Sequence, residues 1–185
     1  MDAALWIVGR ATGVVALLLF TLSVVLGITN RSGRALPGLP RFSVTLVHRN
    51  VALLSATFLA IHVGTLLFDS YAQLRLLDLV LPFFGAFKPL WQGLGTVALD
   101  LTLAVIITSA FRHRIGLRVF RIVHWLTYAI WPIALIHALG NGTDAWSSWF
   151  LVLAATSVAA VGAALVWRLS SQFSDSARSR QGALG

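Results

Sequence analysis

The chain has 185 residues, of which 58% are hydrophobic and 11% charged, with a net charge of +8. That balance excludes an ordinary water-soluble domain, in which about a quarter of residues are charged, and describes a polytopic membrane protein. The absence of cysteine excludes disulfides, thiolate-held iron–sulfur clusters and haem attached through C-x-x-C-H.

Five apolar stretches are each long enough to cross about 30 Å of hydrocarbon as a helix. The first, Ala4–Thr29, opens after Asp2 and is followed by no A-x-A site, so it is expected to be a retained span and not a cleaved signal peptide. The turn Asn30–Arg41 leads to the second, Ser43–Phe68. The connection Asp69–Gln92 contains Leu76–Phe84 (LLDLVLPFF), too short to span and interrupted by Pro82. It is expected to be an interfacial or re-entrant piece capping the outer face. The third stretch is Gly93–Phe111, the fourth Phe120–Leu139 and the fifth Ser147–Trp167. A basic turn, Arg112–Arg121, and a short NGTD turn, Asn141–Asp144, connect them. The expected fold class is all-α, a transmembrane bundle of five spanning helices. Residues 4–168 form one domain. Residues 169–185, rich in Ser, Arg and Gly, form a disordered cytoplasmic tail.

Five spans put Arg31, Arg34, Arg41, Arg49, Arg112, Arg114, Arg118, Arg121, Arg168, Arg178 and Arg180 on one side of the membrane. The other side keeps Arg75 and Lys88, with Arg10 inside the first helix. The positive-inside rule then places the N-terminus outside, the C-terminus in the cytoplasm and the protein in the cytoplasmic membrane. The basic charge is a topology signal, and no nucleic acid is expected as a partner.

Four of the five histidines lie in the spans: His48 and His62 on the second, His124 and His137 on the fourth. Ionisable groups inside a bilayer are costly and are usually functional. Both helices start on the cytoplasmic side, so His48 pairs in depth with His124, and His62 with His137. Fourteen residues at about 1.5 Å each separate the two levels by about 21 Å. Two imidazoles from facing helices, at each of two depths, suit axial ligation of two haems. Without cysteine these are held non-covalently, as haem b. A zinc site of two ligands would be incomplete. The plainer alternative is that each imidazole bonds a carbonyl of a neighbouring helix. At about 100° per residue, 14 steps return His62 to within about 40° of His48, but 13 steps leave His137 about 140° from His124. Pro132 lies between them, and a kink or irregular turn is expected near Trp131–Pro132. His113, in the basic turn Arg112–Arg114, is expected to be solvated or near lipid phosphates.

The segments LVHRNVALLSATFLAIH and HWLTYAIWPIALIH, with GRATG at Gly9–Gly13, resemble the ferric reductase-like transmembrane domain family over roughly residues 4–168. That family includes eukaryotic ferric reductases, the membrane part of NADPH oxidases and the haem-binding subunit of bacterial methionine sulfoxide reductase. The resemblance implies electron transfer from a cytoplasmic donor through an inner haem (His48, His124) and an outer haem (His62, His137) to an acceptor at the outer face. The larger members carry a FAD and NADPH domain and an extra N-terminal helix. Here no G-x-G-x-x-G and no strand–helix units follow the last span. A separate cytoplasmic flavoprotein reductase or membrane quinol is therefore the expected donor. A quinol-linked cytochrome b subunit, a haem-binding subunit of a separate reductase and a non-redox membrane subunit are the alternative readings.

Arg10 is expected either to bind a propionate of the outer haem or to pair with Asp100. Arg49, next to His48, suits the inner propionates or snorkels to lipid phosphate. Trp131, between the two levels, is packing or a bridge for the electron. Gly64 and Gly140, near the outer histidines, are read as leaving room for a porphyrin or as ordinary helix-interface glycines.

Overall fold

The computed structural model describes residues 2–32, 41–171 and 173. The apolar stretches are helical: α1 (Asp2–Ser32), α2 (Arg41–Leu67), α3 (Pro89–Ala110), α4 (Arg112–Ile115), α5 (Leu117–His124), α6 (Thr127–Asn141) and α7 (Ser148–Leu169). Five segments are long and apolar enough to cross a membrane: Ala3–Ser32, Phe42–Leu67, Pro89–Ala110, Leu117–Asn141 and Ser148–Leu169. The chain is a multi-pass membrane protein, all-α among the described residues. Helices suit that setting because their backbone groups bond within the segment. The hydroxyls of Thr12, Thr21, Thr102 and Thr108 follow the same rule, each bonding the carbonyl four residues earlier. Arg34, Arg178 and Arg180, and most of the tail expected to be disordered, lie outside the described residues, as does the side chain of Arg41.

The helices associate as two antiparallel pairs, α1 with α2 and α3 with α6, and α6 and α7 close on α1. The α1–α2 register is continuous. Gly9 lies against Leu66, Gly13 against His62 and Gly27 against His48, and Thr45 donates to Asn30. A core of Leu17, Trp131, Leu135, Phe150, Ala154 and Val161 fills the space between α1, α6 and α7. By contrast α2, which carries two of the histidines, is the least buried of the five spans.

The segment between α2 and α3 folds over the end of the bundle where α1 begins, here the N-terminal face. Its Leu76–Leu79 forms a 3-10 turn anchored by Asp78, whose side chain is 2% exposed. The Asp78 carboxylate accepts from Arg75 Nη2 at 2.9 Å, Arg75 Nε at 3.2 Å and the Arg75 amide at 3.0 Å. The Asp78 carbonyl accepts from Thr96 Oγ1 at 2.6 Å, which ties the turn to α3. The hydrogen-bonding Arg75 guanidinium holds the Asp78 carboxyl below the usual carboxylate range, against the opposing effect of burial. Phe83 sits at φ 71°, a strained conformation for a bulky residue. Its ring lies against Gly93, where any Cβ would collide with it.

The fourth span is two helices. α5 ends at His124 and α6 begins at Thr127, with an irregular turn at Trp125–Leu126. α6 then runs through Pro132 to Asn141. The irregular turn therefore lies one to two turns N-terminal of Trp131–Pro132, where a kink or irregular turn was expected. Proline lacks the amide that would reach Tyr128, and its ring pushes that carbonyl aside. The disturbance is taken up on the N-terminal side, where the amides of Trp125, Leu126, Tyr128 and Ala129 bond carbonyls three residues back.

Candidate functional site

The four span histidines come from α2, the last residue of α5, and α6. His48 and His124 face each other across the α2–α5 gap, with ring centroids 6.4 Å apart and planes at 84°. His137 lies within electrostatic range of His62, toward the N-terminal face. All four side chains are half-buried. Phe120 packs on His124 at 5.2 Å between centroids.

The irregular turn overwinds the chain in the direction that the 13-residue spacing requires. Three-residue hydrogen bonding winds the chain at about 120° per residue, against about 100° in an α-helix. Over the about five residues from His124 to Tyr128 the excess is about 100°, a large part of the 140° needed to bring His124 and His137 onto one side. Arg168 of α7 holds this turn. Its guanidinium lies 4.8 Å from the Trp125 ring and 5.0 Å from the Tyr128 ring, and it donates to the Tyr128 hydroxyl.

The two levels differ in how the imidazoles are anchored. His62 Nδ1 donates to the Gly9 carbonyl at 2.6 Å, and His137 Nδ1 to the Trp91 carbonyl at 2.7 Å. A carbonyl only accepts, so each Nδ1 carries the proton and each Nε2 keeps its lone pair. His48 Nδ1 lies toward the Ser23 carbonyl, outside hydrogen-bonding geometry, and His124 Nδ1 has no partner among the described residues. Glycines stand beside three of the rings. A Cβ on Gly13 would lie 2.8 Å from His62 Nδ1, one on Gly95 2.6 Å from His137 Cε1, and one on Gly27 3.3 Å from His48 Cε1. His137 is further fixed from α3, because Trp91 packs on Gly140 and Lys88 donates to the Gly140 carbonyl at 3.3 Å.

Several expected roles shift. The partner of Arg10 is Asp144, in the α6–α7 turn, and not Asp100. Asp100 has no hydrogen-bond or ion-pair partner among the described residues. Of the two glycines expected to make room, Gly140 is filled by the Trp91 indole, whereas Gly64 has no atom near its Cβ direction. The glycines in contact with imidazoles are Gly13, Gly27 and Gly95. Their signal was in the sequence, since Gly13 and Gly27 repeat the 14-residue spacing of His48 and His62 on the antiparallel neighbour. Trp131 is buried in the core and donates through Nε1 to Thr21 Oγ1 at 2.9 Å. Arg49 and His113 are exposed.

Among the described residues, no three His, Cys, Asp or Glu side chains converge. Each level offers two imidazoles, too few for zinc but enough for a metal that brings its own equatorial ligands. A family model described as "Ferric reductase like transmembrane component" matches residues 12–135. The match includes His48, His62 and His124 and ends just before His137. No curated protein and no solved structure matches the chain.

Proposed function

The chain belongs to the ferric reductase-like transmembrane component family, and from that premise we propose that this membrane redox subunit is a dihaem b-type cytochrome. It carries electrons across the cell membrane, with His48 and His124 ligating one haem and His62 and His137 the other. The observation that carries the reading is the His48–His124 spacing. Two metal–imidazole bonds of about 2 Å, with about 1.1 Å from each nitrogen to its ring centre, need centroids about 6.2 Å apart. The measured 6.4 Å fits that requirement.

When bound, the haems supply one-electron iron couples at two depths. The protein's residues do the rest. Gly9 and Trp91 carbonyls fix the tautomer and ring plane of His62 and His137, which leaves Nε2 free for iron and makes it more basic. The unpartnered Nδ1 atoms of His48 and His124 give the other pair a less basic ligand set. Gly13, Gly27 and Gly95 supply the clearance beside the rings. Arg10 has donors beyond those used by Asp144, and we assign it a propionate of the haem nearer the N-terminal face.

Arg31, Arg49, Arg112, Arg114, Arg118, Arg121 and Arg168 lie toward the opposite face, which the positive-inside rule makes cytoplasmic. Electrons then enter near His48 and His124, from a separate flavoprotein or from quinol, and leave near His62 and His137. The test is a reduced-minus-oxidised optical spectrum and haem content for wild type and the four single His→Ala variants. A bis-histidine b-type spectrum is expected, with about half the haem lost in each variant. Full haem retention in His124→Ala and His137→Ala would refute the assignment.

A further inference from the structure

Asp100 stands near the middle of α3, about 15 Å along the helix from either end. The other acids whose side chains the structure describes, Asp69, Asp78 and Asp144, sit at the N-terminal face. A carboxyl at mid-depth is costly among lipid tails and calls for a polar partner. Asp100 has none among the described residues, and its side chain is only half-buried, so a group from outside the chain can reach it. The helix also carries it away from its neighbours. Gly95, against His137, and the buried Ala98 and Thr102 mark the side of α3 that meets α6. At about 100° per residue, Asp100 lies about 140° from Gly95 and about 160° from Ala98 and Thr102. It belongs instead to a stripe of residues that recur every three or four positions: Gly93, Thr96, Asp100, Leu103 and Ile107. Toward the N-terminal face the stripe is covered, by the Phe83 ring on Gly93 and the Asp78 carbonyl on Thr96. Toward the opposite face it is open, with Leu103 44% and Ile107 55% exposed. There α3 has at most marginal contact with α1, α2 and α7.

We propose that this stripe of α3 receives a transmembrane helix of a partner membrane protein, whose lysine or arginine at mid-depth pairs with Asp100. Charge decides the class of occupant. Lipid tails offer no hydrogen-bond donor, and the aspartate side chain is too short to reach the headgroups. A second copy packed α3 to α3 would bring two carboxylates together. A cation on a partner helix satisfies both charges, in a medium where either one alone is costly. Leu103 and Ile107 supply the apolar contact beside the pair, and the small Ala104, one turn from Asp100, lets the partner backbone approach.

The pairing stands apart from the haem assignment, and its test reads association in the bilayer and not redox activity. The chain has no cysteine, so one added at the C-terminus takes a fluorescent donor. The full chain is reconstituted in phosphatidylcholine vesicles with acceptor-labelled, leucine-rich transmembrane peptides that carry lysine, glutamate or leucine at their centre. Energy transfer at rising peptide-to-lipid ratio gives the association constant. The lysine peptide is expected to associate at least about fivefold more tightly than the leucine peptide, and the glutamate peptide no more tightly than leucine. Asp100→Leu should abolish the lysine preference, and Asp100→Lys should transfer it to the glutamate peptide. Haem content and melting temperature equal to wild type identify the folded variants. Equal association of the lysine and leucine peptides with wild type, or a lysine preference kept in folded Asp100→Leu, would overturn the proposal. Chain-to-chain transfer that Asp100→Leu abolishes, with no lysine preference, would assign the stripe to a second copy and overturn it as well.

Discussion

Gly95→Ala places a methyl carbon 2.6 Å from His137 Cε1 and 2.7 Å from its Nδ1. Carbon atoms rest at about 3.5–4.0 Å, so the ring must retreat by about 1 Å. The Trp91 carbonyl that holds Nδ1 at 2.7 Å is then lost as a partner, because bonds fail beyond about 3.5 Å. Overpacking of this size costs about 1–3 kcal/mol, and the lost hydrogen bond about 1 kcal/mol more. Alanine returns about 1 kcal/mol through helix propensity. The net is a penalty of about 1–3 kcal/mol, concentrated on the orientation of one imidazole. Gly27→Ala makes the opposite case. Its Cβ would lie 3.3 Å from His48 Cε1, short of contact by a few tenths of an ångström, which a small rotation of the ring absorbs. There the propensity gain is expected to win, leaving stability equal or slightly raised.

The assay is haem per polypeptide by the pyridine haemochrome method, with electron paramagnetic resonance to count bis-histidine low-spin centres. Gly95→Ala should lose the haem assigned to His62 and His137, or convert it to a high-spin form, while the other centre persists. Gly27→Ala should keep both. Equal losses at the two positions, or two intact low-spin centres in Gly95→Ala, would refute the argument that these glycines provide clearance for the rings.

Arg168→Ala removes the cation held over Trp125 and Tyr128 and should loosen the irregular turn, an effect of about 1–2 kcal/mol. Its readout is a broadened low-spin signal from the His124 centre alone, with melting temperature as the control. Trp131→Phe deletes the bond to Thr21 and should cost about 0.5–1.5 kcal/mol in thermal unfolding, with both haems retained. The Asp78 carboxyl is depressed by Arg75, so its contribution is fully present above the ordinary carboxylate range and is lost as pH falls through its folded value. Melting temperature should therefore hold from neutral pH down to about 5 and drop below about 4. Asp78→Asn should be less stable at neutral pH and show a shallower acid dependence.

What was legible in the sequence follows from which interactions are local. The five spans rest on apolar length alone, and the borders of α1, α2, α3 and α7 agree with the expected ones to within a few residues. The depth of each histidine needs only the rise of a helix, which is why His48 and His124 could be matched before any packing was known. Partners set by register across helices were beyond reach. Gly64 and Gly140 were chosen because they neighbour the histidines in sequence, but the groups that touch an imidazole belong to the opposing helix, as Gly13 and Gly95 do. Arg10 met the same limit, since Asp144 reaches it only once α6 and α7 have folded back onto α1.

Pro132 joins the two kinds of information. It correctly announced that the fourth span could not be a uniform α-helix, because a proline inside a helix removes one bond and displaces one carbonyl. It did not say where the relief would fall. Arg168, from a helix later in the chain, packs against the residues at 125 and 128, a contact that no local pattern announces. An overwound turn at 125–129 turns His137 toward the side of His124, the direction in which a straight helix with a 13-residue spacing falls short.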